Sequence, residues 1–468
     1  MMSATANSSE SFRDRVATID ESGKRIWIYP KKPRGPLYRA RTLVSIVLLA
    51  ILFGTPFIKV NGQPFILLNV VERKFILFGI PFWPQDLHLF ALAVLAIIIF
   101  IILFTSVLGR IWCGWACPQT VFMEMVFRRI EYWIEGDAHK QRQLDRAPWT
   151  KEKIFKKLLK HGIFFGISFL IGNTLLAYII GIDQLWEIVT DPPQKHIAGL
   201  SMMLLFSAVF YGIYARFREQ VCTMVCPYGR LQGVLLDANT IVVAYDYKRG
   251  EPRGKLRKGQ DTSHLGDCID CRLCVQVCPT GIDIRNGTQL ECINCTACID
   301  ACNLVMDKIQ RPRGLIRYTS MDAIERGEKL KITSRIVAYT VLFVAITGLL
   351  SYLLITRSPV ETTILRTPGV LYQELEGGRI QNLYNVRVVN KSFREYDIQL
   401  KLLEPRGEIY MVTGQDIHVP GDGMAESAFF IRIPRSEIRG SKIKVVIGVY
   451  NGNELLEKVT SRFVSPEF

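Results

Sequence analysis

Apolar residues follow two rhythms along this chain. Up to about residue 356 they form long runs separated by basic segments, and beyond that they alternate with polar residues over short stretches. A bilayer is crossed by about 20 apolar residues, with a usable range of about 17 to 25. Thr42–Ile58, Leu87–Leu108, Gly162–Gly181, Ile197–Ala215 and Ile336–Thr356 meet that length or nearly so. The second is the clearest, an uncharged run centred on LAIIIFIILF. The first is short and contains Gly54 and Pro56, and proline near a helix end is tolerated. Between these two, Pro64–Trp83 carries FILLNVV and FILFGIPFW around Glu72-Arg73-Lys74. It predicts a hairpin lying on the outer membrane face, with no chemistry of its own.

The second rhythm begins after the fifth run. YNVRVVN, YDIQLKLL, EIYMV, AFFIRI and KIKVVIGVY are separated by the turn signals Glu404-Pro405-Arg406-Gly407, Pro420-Gly421-Asp422-Gly423 and Asn451-Gly452-Asn453. Strands of this length and spacing suggest an antiparallel β-sandwich of immunoglobulin type without an inter-sheet disulfide, better suited to docking than to catalysis. The expected architecture is a multi-domain α-helical membrane protein with five transmembrane helices. Residues 1–41 form a basic arm and 42–240 a membrane domain of two helical hairpins. A ferredoxin-like domain follows at 241–330, the fifth span at 331–358 and the immunoglobulin-like domain at 359–468.

Charge then orients the chain. Lys24, Arg25, Lys31, Lys32, Arg34, Arg39 and Arg41 precede span one; ten basic residues from Arg110 to Lys157 lie between spans two and three; Arg216, Arg218 and Lys248–Lys258 follow span four. The loop Ile182–His196 holds only Lys195 against Asp183, Glu187 and Asp191. Counted by the positive-inside rule, the N-terminus is cytoplasmic and the C-terminal domain periplasmic, in a multi-pass protein of the inner membrane. No cleavable leader is evident before the first run. The net charge of +15 is spread beside spans rather than gathered in one aromatic-laced stripe. Membrane lipid is therefore the expected partner and nucleic acid is not.

Cysteine brings in the chemistry. Cys268, Cys271, Cys274 and Cys278, then Cys292, Cys295, Cys298 and Cys302, each read C-x2-C-x2-C-x3-C, the run that serves two [4Fe–4S] clusters. Zinc sites pair two shorter clips, leaving the third and fourth cysteines surplus. A disulfide framework suits small secreted domains, which this is not. In the two-cluster pattern the fourth cysteine of each run goes to the other cluster. Cys268, Cys271, Cys274 and Cys302 would hold one, and Cys292, Cys295, Cys298 and Cys278 the other. Pro279 follows the first run, whereas Asn303 follows the second, so the chain leaves that site differently.

The other four cysteines form a repeat. Cys113 and Cys117 in WCGWACP follow span two, Cys222 and Cys226 in VCTMVCP follow span four, and the two C-x3-C-P motifs lie 109 residues apart. On a helix, residues at i and i+4 face the same way, so two such clips could meet as one four-thiolate site. Buried packing residues are the alternative. Thiolate suits Cu(I), zinc or iron–sulfur, and spacing does not select among them. No cysteine lies in the expected external segments, as reduced thiols require. His88 and His196 begin spans two and four without a second histidine in either, which leaves a haem pair unsupported. No G-x-G-x-x-G or P-loop occurs, so the electron donor is expected to be external.

This order of hairpin, C-x3-C-P, hairpin, C-x3-C-P, two-cluster segment, fifth span and β-sandwich resembles the FixG/CcoG/RdxA family, accessory proteins for assembly of cbb3-type cytochrome c oxidase. The resemblance covers nearly the whole chain, and the membrane half is also similar to the NapH and NosR electron-transfer proteins. It implies reduction of Cu(II) to Cu(I) on the cytoplasmic side. The eight ferredoxin cysteines would be the cluster ligands, and Cys113, Cys117, Cys222 and Cys226 the copper-associated, reactive thiols. Partners would be an external electron donor and oxidase-assembly or copper-handling proteins, with a homo-oligomer as a further expectation. A quinol-oxidising relay and a non-redox copper-holding scaffold are the competing expectations.

The orientation has a direct test. Reporter fusions at His264 and at Gly407 are expected to register opposite compartments. The same compartment at both would overturn the five-span arrangement.

Overall fold

Five helices carry the membrane half of a computed structural model that describes every residue except 1–16, 21, 61, 71–73, 84–85, 256–263, 328–330, 370–371, 376 and 467–468. The first part of the basic arm, the Glu72-Arg73 turn and the Leu256–Lys258 end of the basic stretch lie outside the described residues. The helices long and apolar enough to cross a membrane are Pro36–Phe57, Leu87–Leu108, Lys151–Ile180, Pro193–Phe217 and Ser334–Ile355. The third begins eleven residues before the expected Gly162, about three turns at 3.6 residues per turn. Its extra turns are not apolar, so hydropathy misses them. They are helical because Lys153 and Lys160 turn inward and are buried.

Contacts divide the chain into two units, one of residues 1–55, 94–177 and 182–347, the other of residues 56–93, 178–181 and 348–468. In the first, aromatic rings pack the helical segment that follows the first cysteine motif against spans three and four. Phe127 stacks on Tyr214 with centroids 4.6 Å apart and meets Phe164 edge-on at 4.8 Å. All three rings are buried. Rings in these geometries add attraction beyond the area they bury.

In the second unit, the expected hairpin at Pro64–Trp83 is a three-stranded antiparallel sheet. Ile66–Asn69 pairs with Lys74–Leu77, which pairs in turn with Ile80–Phe82. The extra strand exists because Phe78 and Gly79 both adopt positive φ, 55° and 74°, the two-residue turn that matches strand twist. Proline at 81 hides a strand of only three residues from a sequence reading.

The C-terminal sandwich holds two antiparallel sheets. One orders Glu408–Met411, Met424–Pro434, Arg379–Asn390 and Val360–Arg366, with Gln373–Leu375 added on Arg379–Asn390; the other orders Ile417–Val419, Tyr396–Glu404, Lys442–Asn451 and Glu454–Val464. Alternate residues fill the space between them, and Val388, Phe429, Ile431, Val445, Ile447 and Phe463 are fully buried. Tyr384 stacks on Phe429 at 5.6 Å, and its hydroxyl donates across the sandwich to the Arg462 carbonyl at 2.9 Å. That polar tie joins the sheets where no cysteine is present.

An ion cluster fastens the sandwich to the segment before span two. Buried Asp86 receives Arg357 at 2.6 Å and Lys391 at 2.7 Å, and Lys74 reaches Asp422 at 2.6 Å. Burial opposes ionisation of Asp86, but Lys391, the Trp83 amide and Arg357 outweigh it and hold the carboxyl below its ordinary value. A lowered folded pKa adds stability above the unfolded value, about 3.9, and that stability is lost as pH falls through the folded value. Asp86→Asn leaves two buried cations short of a partner and is expected to cost about 3 kcal/mol or more. Amide exchange in 66–69 and 360–366 would then quicken, and unchanged protection would show that the cluster does not hold these elements together.

Candidate metal centre

The two-cluster segment is closed by a small antiparallel pair, Val242–Tyr245 with Ile316–Thr319, which brings its beginning and end together. Val243, Ile282, Ile284, Ile299, Met306 and Leu315 form its core. The two cysteine runs repeat at an interval of 24 residues, and so does their backbone. Asp270 and Arg272 on either side of Cys271 have φ of 50° and 57°; Asn294 and Thr296 on either side of Cys295 have φ of 52° and 66°. A left-handed conformation costs a side-chain-bearing residue roughly 1–2 kcal/mol. Four such residues at matching places mark loops held for a purpose.

Those loops, with the helix turns beside them, aim backbone N–H groups at sulfur. Cys292 Sγ accepts from Asn294, Cys295 Sγ from Ala297, and Cys278 Sγ from Thr280, Gly281 and Ile282. After Gln276 the first helix stops ahead of Cys278-Pro279, whereas the helix Ala297–Lys308 runs on through Cys302, since Asn303 does not break it.

Two cavities lie along these loops. One is lined by Cys268, Cys271, Cys274 and Cys302. The other is lined by Cys278, Cys292, Cys295 and Cys298, and by Cys274. Cys278 thus stands with the second run and Cys302 with the first. Four thiols and an apolar wall in each, with N–H groups directed at the sulfurs of the second, fit a [4Fe–4S] cluster. Burial first, with Arg285 opposing, pushes the Cys274 thiol up to about 12. These thiols lose their protons only when metal takes the proton's place.

The C-x3-C-P thiols sit beside the second cavity. Gly114 makes this possible: a Cβ there would lie 2.5 Å from the Ile293 carbonyl oxygen and 2.7 Å from that of Asn294. Cys113 therefore packs among Ile293, Cys295 and Ala297. Trp115 Nε1 donates to Tyr318 Oη at 3.0 Å, and that hydroxyl donates to the Asn294 carbonyl at 3.0 Å. Buried Arg110 donates to the carbonyls of Leu290 and Gly229, tying the cluster loop to the second motif. Span one joins the same junction. Asp300 accepts from the amides of Leu37 and Tyr38 at 3.3 and 2.8 Å, capping the helix, and Arg41 donates to the Cys295 carbonyl at 2.9 Å.

The two motifs are not simple helical clips. In each, the second cysteine is the extended residue before a helix that starts at proline, Cys117 before Pro118 and Cys226 before Pro227. In each, its amide closes on the carbonyl five residues back, Cys117 on Trp112 at 2.9 Å and Cys226 on Val221 at 2.8 Å. The four thiols nevertheless converge, and every one lies within electrostatic reach of the other three. Cys113 Sγ donates to buried Gln232 at 3.2 Å. Burial pushes the Cys113 thiol up to about 12, with Cys117 adding to this and Arg110 opposing. Val121–Phe127, Ile213–Phe217 and Val221–Val225 are π-helical turns around this group, a feature frequent at functional sites. Among the described residues, no three His, Cys, Asp or Glu side chains stand close enough for a single metal ion.

Beneath the thiols lies a buried charge network that counting Lys and Arg alone does not reveal. Arg128 pairs with Glu124 and, at 3.6 Å, with Glu219; Arg218 pairs with Glu131; Lys160 reaches Glu135 at 3.0 Å; Arg25 reaches Glu219 at 2.9 Å. Glu124, Arg128, Glu131 and Glu135 recur at steps of four, three and four residues, the spacing of one helix face. That pattern was the available signal.

Buried thiol cavities, membrane-crossing helices and an immunoglobulin-like domain define a membrane-embedded iron–sulfur electron-transfer protein. Residues 217–321 match a family model described as a 4Fe-4S dicluster domain, 90–140 one described as a 4Fe-4S binding domain, and 350–466 one described as the IG-like fold at the C-terminal of FixG. Protein RdxB of Cereibacter sphaeroides is 34% identical over 442 residues, 91% of this chain and 90% of that protein. Protein RdxA of the same organism is 37% identical over 426 residues, 87% and 89%. The nitrogen fixation protein FixG of Rhizobium meliloti is 37% identical over 307 residues, 64% and 58%. The chain belongs to the FixG/RdxA/RdxB family.

The exchange of fourth ligands is open to substitution. Cys302→Ser is expected to disturb the iron held with Cys268, Cys271 and Cys274, and Cys278→Ser the iron held with Cys292, Cys295 and Cys298, each a loss of about four irons. Low-temperature electron paramagnetic resonance of the reduced protein distinguishes the two centres. If both variants erased the same signal, the pairing would be wrong.

Proposed function

We propose that this protein delivers single electrons to Cu(II) on the cytoplasmic side of the inner membrane, yielding Cu(I) for assembly of a cbb3-type cytochrome c oxidase. The observation that carries the reading is the contact at Gly114. It sets Cys113 against the loop of Cys292 and Cys295 and leaves the four-thiol group as the exit from the two-cluster segment. When bound, the two clusters supply one-electron transfer at low potential.

The chain's own residues do the remainder. Arg110, Tyr318 and Asp300 hold the cluster loops on the span ends. The charge network fixes the two thiol motifs relative to one another. Thiolate surroundings favour soft Cu(I) over Cu(II), which makes one-electron reduction of copper downhill. The substrate takes one electron, and no proton is exchanged. Cytoplasmic clusters, a periplasmic C-terminal domain and an external donor complete the proposal, with the sandwich as the surface for assembly partners.

The test is anaerobic. Protein pre-reduced in detergent is given Cu(II) beside a Cu(I)-selective chelator. One Cu(I) is expected per electron lost from the clusters, and Cys113→Ser/Cys117→Ser is expected to slow transfer by about tenfold or more. Equal rates in both proteins, with a quinol analogue reducing the oxidised clusters, would replace the copper reading by a quinol relay.

A further inference from the structure

Electrons that leave beside the second cluster cavity must first enter, and the structure separates the two ends. The contacts that fasten the ferredoxin segment to the span ends fall at Leu290, Ile293, Asn294, Cys295 and Asp300, around the second run. Cys274 lines both cavities, which makes the first cavity the far end of the same path. Among the described residues, which include all twelve cysteines, Cys271 alone is an exposed cysteine. The left-handed residues Asp270 and Arg272 on either side of it shape the loop that presents it to solvent. Electron transfer falls steeply with distance, so a cluster site whose ligand lies at the surface is where a donor can approach.

The surface around Cys271 carries a basic surplus. The Arg272 side chain is 69% exposed. The Gly254 amide donates to the Cys268 carbonyl at 3.1 Å, which sets exposed Arg253 and Lys255 beside the same loop. From the other side, the Lys31 amide donates to the Gln276 carbonyl at 2.7 Å, and the Gln276 amide to the Arg272 carbonyl at 3.1 Å. Exposed Lys31 thus stands about one helical turn from Arg272. The acids of this face are already engaged. Asp270 and Asp283 both pair with buried Arg285, at 2.5 and 2.6 Å, and Glu251 accepts from the Tyr245 hydroxyl at 3.1 Å. Five bases therefore stand with three acids.

Transient electron-transfer complexes use small interfaces, under about 1,200 Å², and charge complementarity raises their encounter rate. A few exposed bases around one surface ligand meet both conditions. Anionic lipid is drawn by the same charge but has no use for a cluster ligand at the surface, which favours a redox partner.

We propose that the face around Cys271, with Lys31, Arg253, Lys255 and Arg272, is the docking surface for an acidic, soluble one-electron donor of ferredoxin class. One electron leaves the donor's reduced iron centre, which is oxidised by one, and enters the site held by Cys268, Cys271, Cys274 and Cys302. No proton moves and no bond is made. The proposal rests on the electron-transfer class of the protein and its two-cluster segment, and not on copper as the acceptor.

The full chain, purified anaerobically in detergent with its clusters oxidised, is mixed with a reduced, acidic [2Fe–2S] ferredoxin and no copper. Reduction of the clusters is followed by freeze-quench electron paramagnetic resonance, and is expected to slow as salt is raised, since salt screens the attraction. Lys31→Glu/Lys255→Glu is expected to slow it about tenfold or more at low salt and to weaken binding of the oxidised ferredoxin by a similar factor. Iron content and reduction by neutral, photoreduced deazariboflavin, both expected to match the parent, establish that the variant is folded; Arg253→Glu serves where the double variant is not. Equal rates and equal affinity in parent and variant would overturn the inference. So would clusters that ferredoxin leaves oxidised while a quinol in vesicles reduces them, which places the donor in the membrane. A variant that loses only its hold on anionic vesicles would likewise overturn it and assign the patch to lipid. Ferredoxin-driven reduction of the clusters without reduction of Cu(II) would refute the copper reading and leave this one standing.

Discussion

Everything functional in this fold depends on one backbone contact, the approach of the Ile293–Asn294 carbonyls to Gly114. A ferredoxin-like segment inserted between two membrane spans is free in principle to hang from its linkers. Here it is pinned. Only glycine lets the turn after span two come so near, and the neighbouring bonds through Tyr318, Arg41 and Asp300 then hold the cluster helix on the ends of spans one and two. The consequence is short distance between thiol sets, which one-electron transfer requires and which no arrangement of distant domains provides.

The charge network meets a second constraint. Two motifs far apart in sequence must hold four thiols in register at the edge of a low-dielectric layer, where apolar packing alone lets helices slide. Glu124, Glu131, Glu135, Glu219 and Asp145 face Arg25, Arg128, Arg218, Lys157 and Lys160, as many acids as bases. A neutral, directional set is tolerated inside a protein because each charge finds a partner, and removing one partner leaves another stranded. Such a network adds little net stability over apolar packing but fixes the register of the two motifs.

Much of this was legible in residues. The eight clustered cysteines, the five apolar runs and the alternating C-terminal segments carry strong local periods or spacings, and the structure has the corresponding elements. The rest depended on tertiary context. The third helix extends through lysines because buried acids receive them, and no hydropathy window contains that information. The strand Ile80–Phe82 is three residues long with a proline in it, and becomes a strand only beside Lys74–Leu77. The left-handed residues Asp270, Arg272, Asn294 and Thr296 are not glycines, so composition gave no hint of the loop shape. The acidic stripe at 124, 131 and 135 has helical spacing, but its burial depends on cations such as Arg218 and Lys160 from other segments, which no local pattern contains.

The repeat gives the thiol centre a further property. Each hairpin contributes one C-x3-C-P, each ends in an extended cysteine before a proline-started helix, and neither half is a site alone. Were a metal held by thiols of both halves, its binding free energy would be released only when the halves are paired, and would also be folding free energy. Contacts between the two motifs therefore hold the repeats together as well as placing the thiols. The same reasoning explains the burial of the thiols: an exposed centre would bridge the halves equally well, but would surrender its ligands to solvent and oxidant once the pairing loosened.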